Sequence, residues 1–221
     1  MSPAAKPPPG HDPIAAAPLS DSVRRLARRG ELRRLRKGVQ LITEGDCGDT
    51  IYIVLSGLLR AYSVGSDERE ITYGNYSAGE YLGEMGLDGE PRSAHVETLE
   101  PTLVVVIARM TLEQHLHDEP AFAFELLNKV IRRARAATVG MKQIALNDVY
   151  GRLKALLDGL ARPAPAGRRV IEPAPTHKEM SQRLGCSREM ISRVTKDLER
   201  GGFIQAARGR IVLMRELPAK W

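Results

Sequence analysis

Residues 120–146 read PAFAFELLNKVIRRARAATVGMKQIAL, and the organisation of the chain turns on this stretch. Asp118 and Glu119 precede Pro120. That arrangement suits a helix start, with acid ahead of the first turn and proline at the first helical position. Beyond it stand no proline and a single glycine, Gly140. At 1.5 Å rise per residue, a helix over this span would be about 40 Å long. Leu127, Val130, Ala134, Ala137, Met141 and Ile144 fall at alternating spacings of three and four, a heptad seam flanked by Arg132, Arg133, Arg135 and Lys142. The small Ala134 and Ala137 permit close helix approach but make a poor monomer core. The seam therefore predicts a parallel dimer; the bland alternative is a helix packed on its own domain.

On the N-terminal side of this helix the pattern changes. Residues 1–18, MSPAAKPPPGHDPIAAAP, are rich in Pro and Ala without periodicity and are expected to be a disordered tail. Ser20 can cap a short basic helix running to about Gly30, whose Arg24, Arg25, Arg28 and Arg29 read as a solvated face. From Leu35 to Arg109, short runs of β-formers alternate with turns. Val39–Thr43, Ile51–Ser56, Leu58–Val64, Ile71–Tyr76, Ala94–Glu100 and Leu103–Arg109 read as strands, separated by Glu44-Gly45-Asp46, Ser56-Gly57, Gly65-Ser66-Asp67 and Glu100-Pro101. Such spacing predicts an all-β sandwich or barrel. Met110–His117 then reads as a short helix leading to Pro120.

One segment interrupts the barrel: GEYLGEMG at 79–86, followed by LDGEPRSA at 87–94. Gly83 and Gly86 allow a tight turn and close backbone approach to a ligand. A turn starting near Glu84 would aim backbone N–H groups outward, which suits an anion. Arg92 adds a permanent, forked positive charge, and Ser93 adds a hydroxyl. Glu84 fits beside an anion if it accepts hydrogen bonds from a sugar hydroxyl. Together these residues describe a site for a ribose carrying a phosphate, with Met85 in the same turn; the bland reading is a structural turn bearing a surface Arg–Glu pair.

Here the chain resembles the cyclic-AMP receptor, or catabolite activator (Crp/Fnr), family. GEYLGEMGL…PRSA is similar to that family's phosphate-binding cassette, and GDCGDTIYIVLSGLLRAY to its strand-turn-strand signature. The resemblance implies that Glu84 binds the ribose 2′-hydroxyl, that Arg92 and Ser93 bind the cyclic phosphate, and that Gly83 supplies a backbone contact. It further implies that the long helix pairs two subunits and closes the pocket. RRARAATVGMKQIALNDVYGRL aligns with the family segment that carries the adenine contacts. Where the best-known member has two adjacent hydroxyl residues, this chain has Ala137-Thr138, with Arg133 one turn earlier. Cyclic AMP is the first effector the resemblance implies; cyclic GMP and cyclic di-GMP are alternatives.

On the C-terminal side, Asn147-Asp148 would be a hinge. Val149–Leu160 is an amphipathic helix carrying Val149, Leu153, Leu156, Leu157 and Leu160 on one side, residues 162–169 a loop, and Val170-Ile171 a short strand. Thr176 followed by Glu179 is a capping box. His177 to Lys196 then fits a helix-turn-helix position by position. Met180, Leu184, Cys186, Ile191 and Val194 take the apolar positions, Ser181 the crossing point, and Gly185 the turn. Ser187 caps the second helix, whose outward face holds Arg188, Glu189, Ser192, Arg193 and Lys196. Recognition helices read base edges with their N-terminal residues. Arg can grip guanine twice and Glu can accept from cytosine. The match of Arg188, Glu189 and Arg193 to the catabolite activator implies a half-site of TGTGA type. Lys196, Arg200, Arg208 and Arg210 are expected on phosphates, and Gly201–Ile204 with Arg210–Leu213 as a two-stranded wing.

Charge and composition agree. Residues 19–118 carry net −4, residues 119–147 net +3 and residues 148–221 net +7, so the polyanion partner belongs to the C-terminal end. The expected organisation is α+β: a tail (1–18), a cyclic-nucleotide-binding β-barrel of jelly-roll type (19–118), a long dimerisation helix and hinge (119–147) and a winged helix-turn-helix (148–221). Cys47 and Cys186 lie far apart and suggest neither a disulfide framework nor a zinc site. His115 and His117 lie two apart on a helix and cannot share a metal. His95 follows the cassette on a strand, but the Cys partner of a haem-sensing relative is not evident. There is no GxxxxGK[ST], GxSxG or HExxH, hence no expected enzyme. With no apolar run of membrane-spanning length and no h-region, the chain is expected to be cytoplasmic. Double-stranded DNA, a second copy of the chain and, by resemblance, RNA polymerase are the expected partners; no membrane and no metal are. The rivals are a family member that binds DNA without cyclic AMP or senses another ligand, and a nucleotide module acting on a protein partner.

Overall fold

The computed structural model describes residues 12–165 and 167–220. They fall into two compact units: residues up to Ser63 with Tyr73–Ile131, and Val64–Thr72 with the chain from Arg132 onward.

The first unit is built around two apolar strands, β3 (Ile51–Ser56) and β8 (Thr102–Ile107), which pair antiparallel. Both are almost continuous runs of β-branched and aliphatic residues, as strands buried on two faces must be. Around them stand β1 (Glu31–Leu35), β2 (Gln40–Ile42), β4 (Leu58–Val64), β5 (Glu70–Ser77), β6 (Tyr81–Leu82) and β7 (His95–Thr98). They form two four-stranded sheets, β1-β8-β3-β6 and β2-β7-β4-β5. Val54 and Val104 meet Ile42, Leu59, Ala61, Leu82 and Val96 in one core. The alternate residues Ile51, Ile53, Leu55, Val105 and Ile107 face a second core supplied by helices. Those helices are α1 (Pro13–Ala16), α2 (Asp21–Ala27), α3 (Arg109–Asp118) and the start of α4 (Phe122–Leu146). Val23, Leu26, Leu112 and Phe122 are their buried contributions.

The expectation of a disordered tail over 1–18 is corrected at its end. Asp12 caps α1 through the Ile14 N–H, and Ala17 is buried. Residues 1–11 lie outside the described residues. The long helix also begins two residues later than expected. Pro120 and Ala121 form a tight turn in which the Phe122 N–H donates to Glu119 O (3.0 Å) and the Ala123 N–H to Pro120 O (3.1 Å). Phe122 fixes that start, since its ring is buried against Tyr81 and the edge of His115. Along α4 the seam residues Leu127, Val130, Met141 and Ile144 are 52, 42, 68 and 52 % exposed, and Ala134 and Ala137 are exposed too.

The second unit holds α5 (Val149–Leu160), β9 (Arg162–Pro163), β10 (Arg169–Ile171), α6 (His177–Leu184), α7 (Arg188–Arg200), β11 (Ile204–Ala207) and β12 (Arg210–Leu213). The strands make one sheet in the order β11-β12-β10-β9. Tyr150, Leu153 and Leu157 of α5 pack with Met180, Leu184, Ile191, Leu198, Ile204, Ile211 and Leu213. Asp148 caps α5, accepting from the Gly151 N–H at 2.7 Å. The first wing strand starts at Ile204, because Gly201 closes α7 and Gly202 turns at φ 68°.

Candidate ligand cassette and nucleic-acid interface

The cassette begins where β6 ends. Gly83 sits at φ 95°, left-handed backbone that a side chain resists, and opens the single 3₁₀ turn Glu84–Asp88. Glu84 and Arg92 are both buried, at 7 % exposure each. Long-chain charged residues are rarely this buried unless paired, and the partners of Arg92 are all near at hand. Nη1 donates to Gly83 O (2.8 Å); Nη2 donates to Thr50 O (3.0 Å) and Thr50 Oγ1 (3.1 Å). The backbone of Arg92 is fixed as well, since the Gly45 N–H donates to Arg92 O and the Arg92 N–H to Asp46 O. The absence of side chains at Gly48 and Gly86 leaves room for the guanidinium. A Cβ at Gly48 would stand 3.1 Å from Nη2, and one at Gly86 2.8 Å from Nη1 and 2.4 Å from Gly48 O.

Ser93 is exposed, and its hydroxyl donates to Met85 Sδ at 3.5 Å. Met85 itself is 61 % exposed. Of the residues expected at the ligand site, Gly83, Glu84, Met85, Arg92 and Ser93 are thus gathered in one place. Arg133, Ala137 and Thr138 stand on the portion of α4 that belongs to the second unit. Ala137 and Thr138 are exposed, and the Thr138 hydroxyl donates back to Ala134 O at 3.0 Å. Sequence reasoning missed Thr50 and Gly48. The signal was the run Gly45–Thr50, small and polar and directly ahead of an apolar strand, which reads as a mere turn.

Where α2, α3 and α4 meet, a polar knot holds the first unit together. Arg25 forks onto the Glu119 carboxylate, Ser22 donates to the same carboxylate at 3.0 Å, and Arg29 pairs with Asp118 at 2.6 Å. The Arg25 bond is the main reason that the Glu119 pKa is pulled down to about 2. His115 beside it is fully buried, and burial pushes its pKa below the usual imidazole value. Two of the arginines expected on a solvated face, Arg25 and Arg29, are committed to this knot. Both His115 and His117 stand clear of any metal-type cluster, none of which occurs among the described residues.

The second candidate surface is α7. Thr176 and Glu179 form the reciprocal capping box on α6, Gly185 takes φ 61° in the turn, and the Ser187 hydroxyl accepts from the Met190 N–H at 3.2 Å. Ser181 is buried at the helix crossing, where a larger side chain would force α6 and α7 apart. Cys186 is buried in the core, and burial raises its thiol pKa, so it is packing rather than chemistry. The opposite face presents Arg188, Glu189, Arg193 and Lys196 to solvent with Ser192 half-buried. These five line one cleft of about 470 Å³ with Asp197 and Arg200. Arg193 leans on Met190 Sδ, Arg200 lies 3.8 Å from Asp197, and Arg210 lies 3.5 Å from Glu172. Arg208 stands exposed at the wing turn beside Gly209.

A capped helix-turn-helix with a charged outer face, following a sandwich with a phosphate-type cassette, defines the class: a DNA-binding regulator with a cyclic-nucleotide-type sensor domain. Residues 32–119 match the cyclic nucleotide-binding domain, and residues 151–217 match the Crp-like helix-turn-helix domain. The chain belongs to the Crp/Fnr family of transcription regulators. It is 27 % identical over 205 residues to the CRP-like protein Clp of Xanthomonas euvesicatoria, covering 87 % of each chain. Among solved structures it is similar to the c-di-GMP-responsive global regulator CLP of Xanthomonas campestris, with 26 % identity, TM-score 0.78 and coverage of 88 % of this chain and 98 % of that one. It is also similar in fold to CooA of Carboxydothermus hydrogenoformans, with 18 % identity, TM-score 0.72 and coverage of 86 and 85 %. Among the described residues no helix is long and apolar enough to cross a membrane.

Proposed function

We propose that the protein is a homodimeric regulator whose affinity for a specific DNA palindrome is set by a cyclic nucleotide. The observation that carries this reading is the pairing, in one chain, of a buried Glu84–Arg92 cassette with an exposed, capped α7 bearing Arg188, Glu189 and Arg193. Glu84 would accept from a ribose 2′-hydroxyl; Arg92 and Ser93 would take the cyclic phosphate, with Gly83 and Met85 lining the turn. Arg133, Ala137 and Thr138 would meet the base across the seam of a paired α4, whose exposed Leu127, Val130, Met141 and Ile144 ask for a second copy. Pairing would place two α7 helices about 34 Å apart, one turn of duplex, to read two TGTGA-type half-sites. Ser187, Ser192 and Lys196 would accompany the base-reading residues, while Lys196, Arg200, Arg208 and Arg210 hold phosphates. RNA polymerase is the expected partner of the DNA-bound dimer.

Cyclic AMP is the first effector of this reading. Cyclic di-GMP is the second, favoured by the likeness to the c-di-GMP-responsive regulator CLP. A ligand shifts the balance only by its differential affinity for the two states of the dimer. Isothermal titration with cyclic AMP, cyclic GMP and cyclic di-GMP tests the sensor directly. Binding of one of them, lost in Arg92→Ala, is the expected result; no heat from any of the three would remove the nucleotide from the account.

A further inference from the structure

The arginine expected to grip the phosphate is already gripped, by Gly83 through Nη1 and by Thr50 through Nη2. A guanidinium holds a phosphate best with two parallel N–H bonds along one edge. The two edges are Nη1–Nη2 and Nε–Nη2, and both require Nη2. Here Nη2 is committed to Thr50 twice, at the backbone O (3.0 Å) and at Oγ1 (3.1 Å). Nη1 is tied to Gly83 O, and Gly48 runs close by the Nη2 and Nε side, where any added Cβ would stand 3.1 and 3.2 Å from those atoms. The hydroxyl of Thr50 is itself oriented: it donates to Tyr52 Oη at 3.2 Å, which leaves its lone pairs for Arg92. The same loop clasps the Arg92 backbone through Gly45 and Asp46.

We propose that Thr50 is a gate on the cassette: a ligand phosphate obtains the two-pronged grip of Arg92 only when the loop 43–50 releases Nη2. This rests on the reading of the cassette as a nucleotide-phosphate site. Thr50 and the ligand phosphate compete for one donor group, so the affinity observed is the intrinsic affinity reduced by the work of displacing Thr50. A ligand with a single weakly placed phosphate is disfavoured, and one whose remaining contacts can drive the exchange is selected. The gate thus sets the threshold for effector binding without touching the nucleotide's base or ribose.

The test is Thr50→Val, which keeps the shape and the backbone O bond to Nη2 but deletes the Oγ1 bond, and so weakens the hold of Thr50 on Arg92, compared with Thr50→Ser, which keeps both. Isothermal titration of the full chain with cyclic AMP and with cyclic di-GMP should show Thr50→Val binding about tenfold tighter than wild type, and Thr50→Ser close to wild type. Equal or weaker binding by Thr50→Val would overturn the gate and make Thr50 a mere support for Arg92. If no variant binds either of these nucleotides or cyclic GMP, the nucleotide reading fails, and the gate is judged by phenylglyoxal labelling of Arg92 followed by peptide mapping. Faster labelling in Thr50→Val than in wild type upholds the commitment of Nη2 to Thr50; unchanged labelling contradicts it.

Discussion

Arg92 and Arg188 are the same side chain held in opposite ways. Arg92 is buried and held by Gly83 and Thr50, in space that the missing side chains of Gly48 and Gly86 leave open. Arg188 starts α7 in open solvent, and no hydrogen bond or ion pair to another described residue engages it. A group meant to meet a small ligand inside a domain must be positioned by that domain, so its partners are internal and its burial is high. A group meant to meet a base edge must reach into a groove that only the partner provides, so it stays exposed and its helix supplies the rigidity. On the proposed reading, the cassette would couple binding to local structure, whereas α7 would couple binding to helix placement alone.

The largest effect that would break this contrast is at Arg92. Arg92→Ala leaves the half-buried Thr50 and Gly83 carbonyls without their partner, each lost bond costing about 0.5–1.5 kcal/mol. Thermal melting followed by circular dichroism should show the variant unfolding at a clearly lower temperature, while non-specific DNA binding stays intact. A wild-type melting curve would mean that Arg92 holds nothing together.

Arg188→Ala should do the reverse. Its melting should change by no more than about 0.5 kcal/mol, as exposed positions do. Discrimination at one base pair should fall by about 1–3 kcal/mol. Competition binding against single-base variants of the palindrome measures this. An equal loss on all sequences would assign Arg188 to phosphate instead of base.

The smallest effect sharpens the contrast between the two units by acid. His115 in the first unit has a folded pKa below its ordinary value, because burial disfavours the imidazolium. The unfolded chain therefore binds that proton first, and stability falls as pH drops below about 6.5. Glu119, held at about 2 chiefly by Arg25, adds a second loss as pH falls through the interval from 4.5 toward 2. In the second unit Asp158 is lowered by Lys154 and Arg169, so its contribution is lost only below about 3.8. Hydrogen exchange between pH 7 and pH 5 should accordingly show α2 and α3 loosening before α5, and His115→Leu should remove that difference.

Much of this was legible in the sequence because local rules and tertiary needs agreed. The ends of α5, the capping box at Thr176, the left-handed Gly185 and the apolar set from Met180 to Leu198 each obey a short-range constraint, and the structure meets all of them. The gathering of Gly83, Glu84 and Arg92 was legible because glycines and an arginine at that spacing have few other uses. Strand β1 was not, since ELRRL is an edge strand whose charged residues face solvent and carry no period that separates it from a loop. Strand β6 is two residues long and exists only through its pairing with β3. The start of α4 moved because the burial of Phe122 outweighed the helix-starting preference of Pro120. The grip of Thr50 on Arg92 spans 42 positions and leaves no local signature.

The account as a whole rests on nucleotide and operator being linked through one dimer. The direct measurement is the fluorescence anisotropy of a labelled TGTGA-type palindrome titrated with the protein at one fixed salt concentration. It is made without nucleotide and with saturating cyclic AMP or cyclic di-GMP. A shift in operator Kd of about tenfold with one of them, absent in Arg92→Ala, is the predicted result. An operator Kd that stays the same while calorimetry shows the nucleotide bound would contradict the linkage.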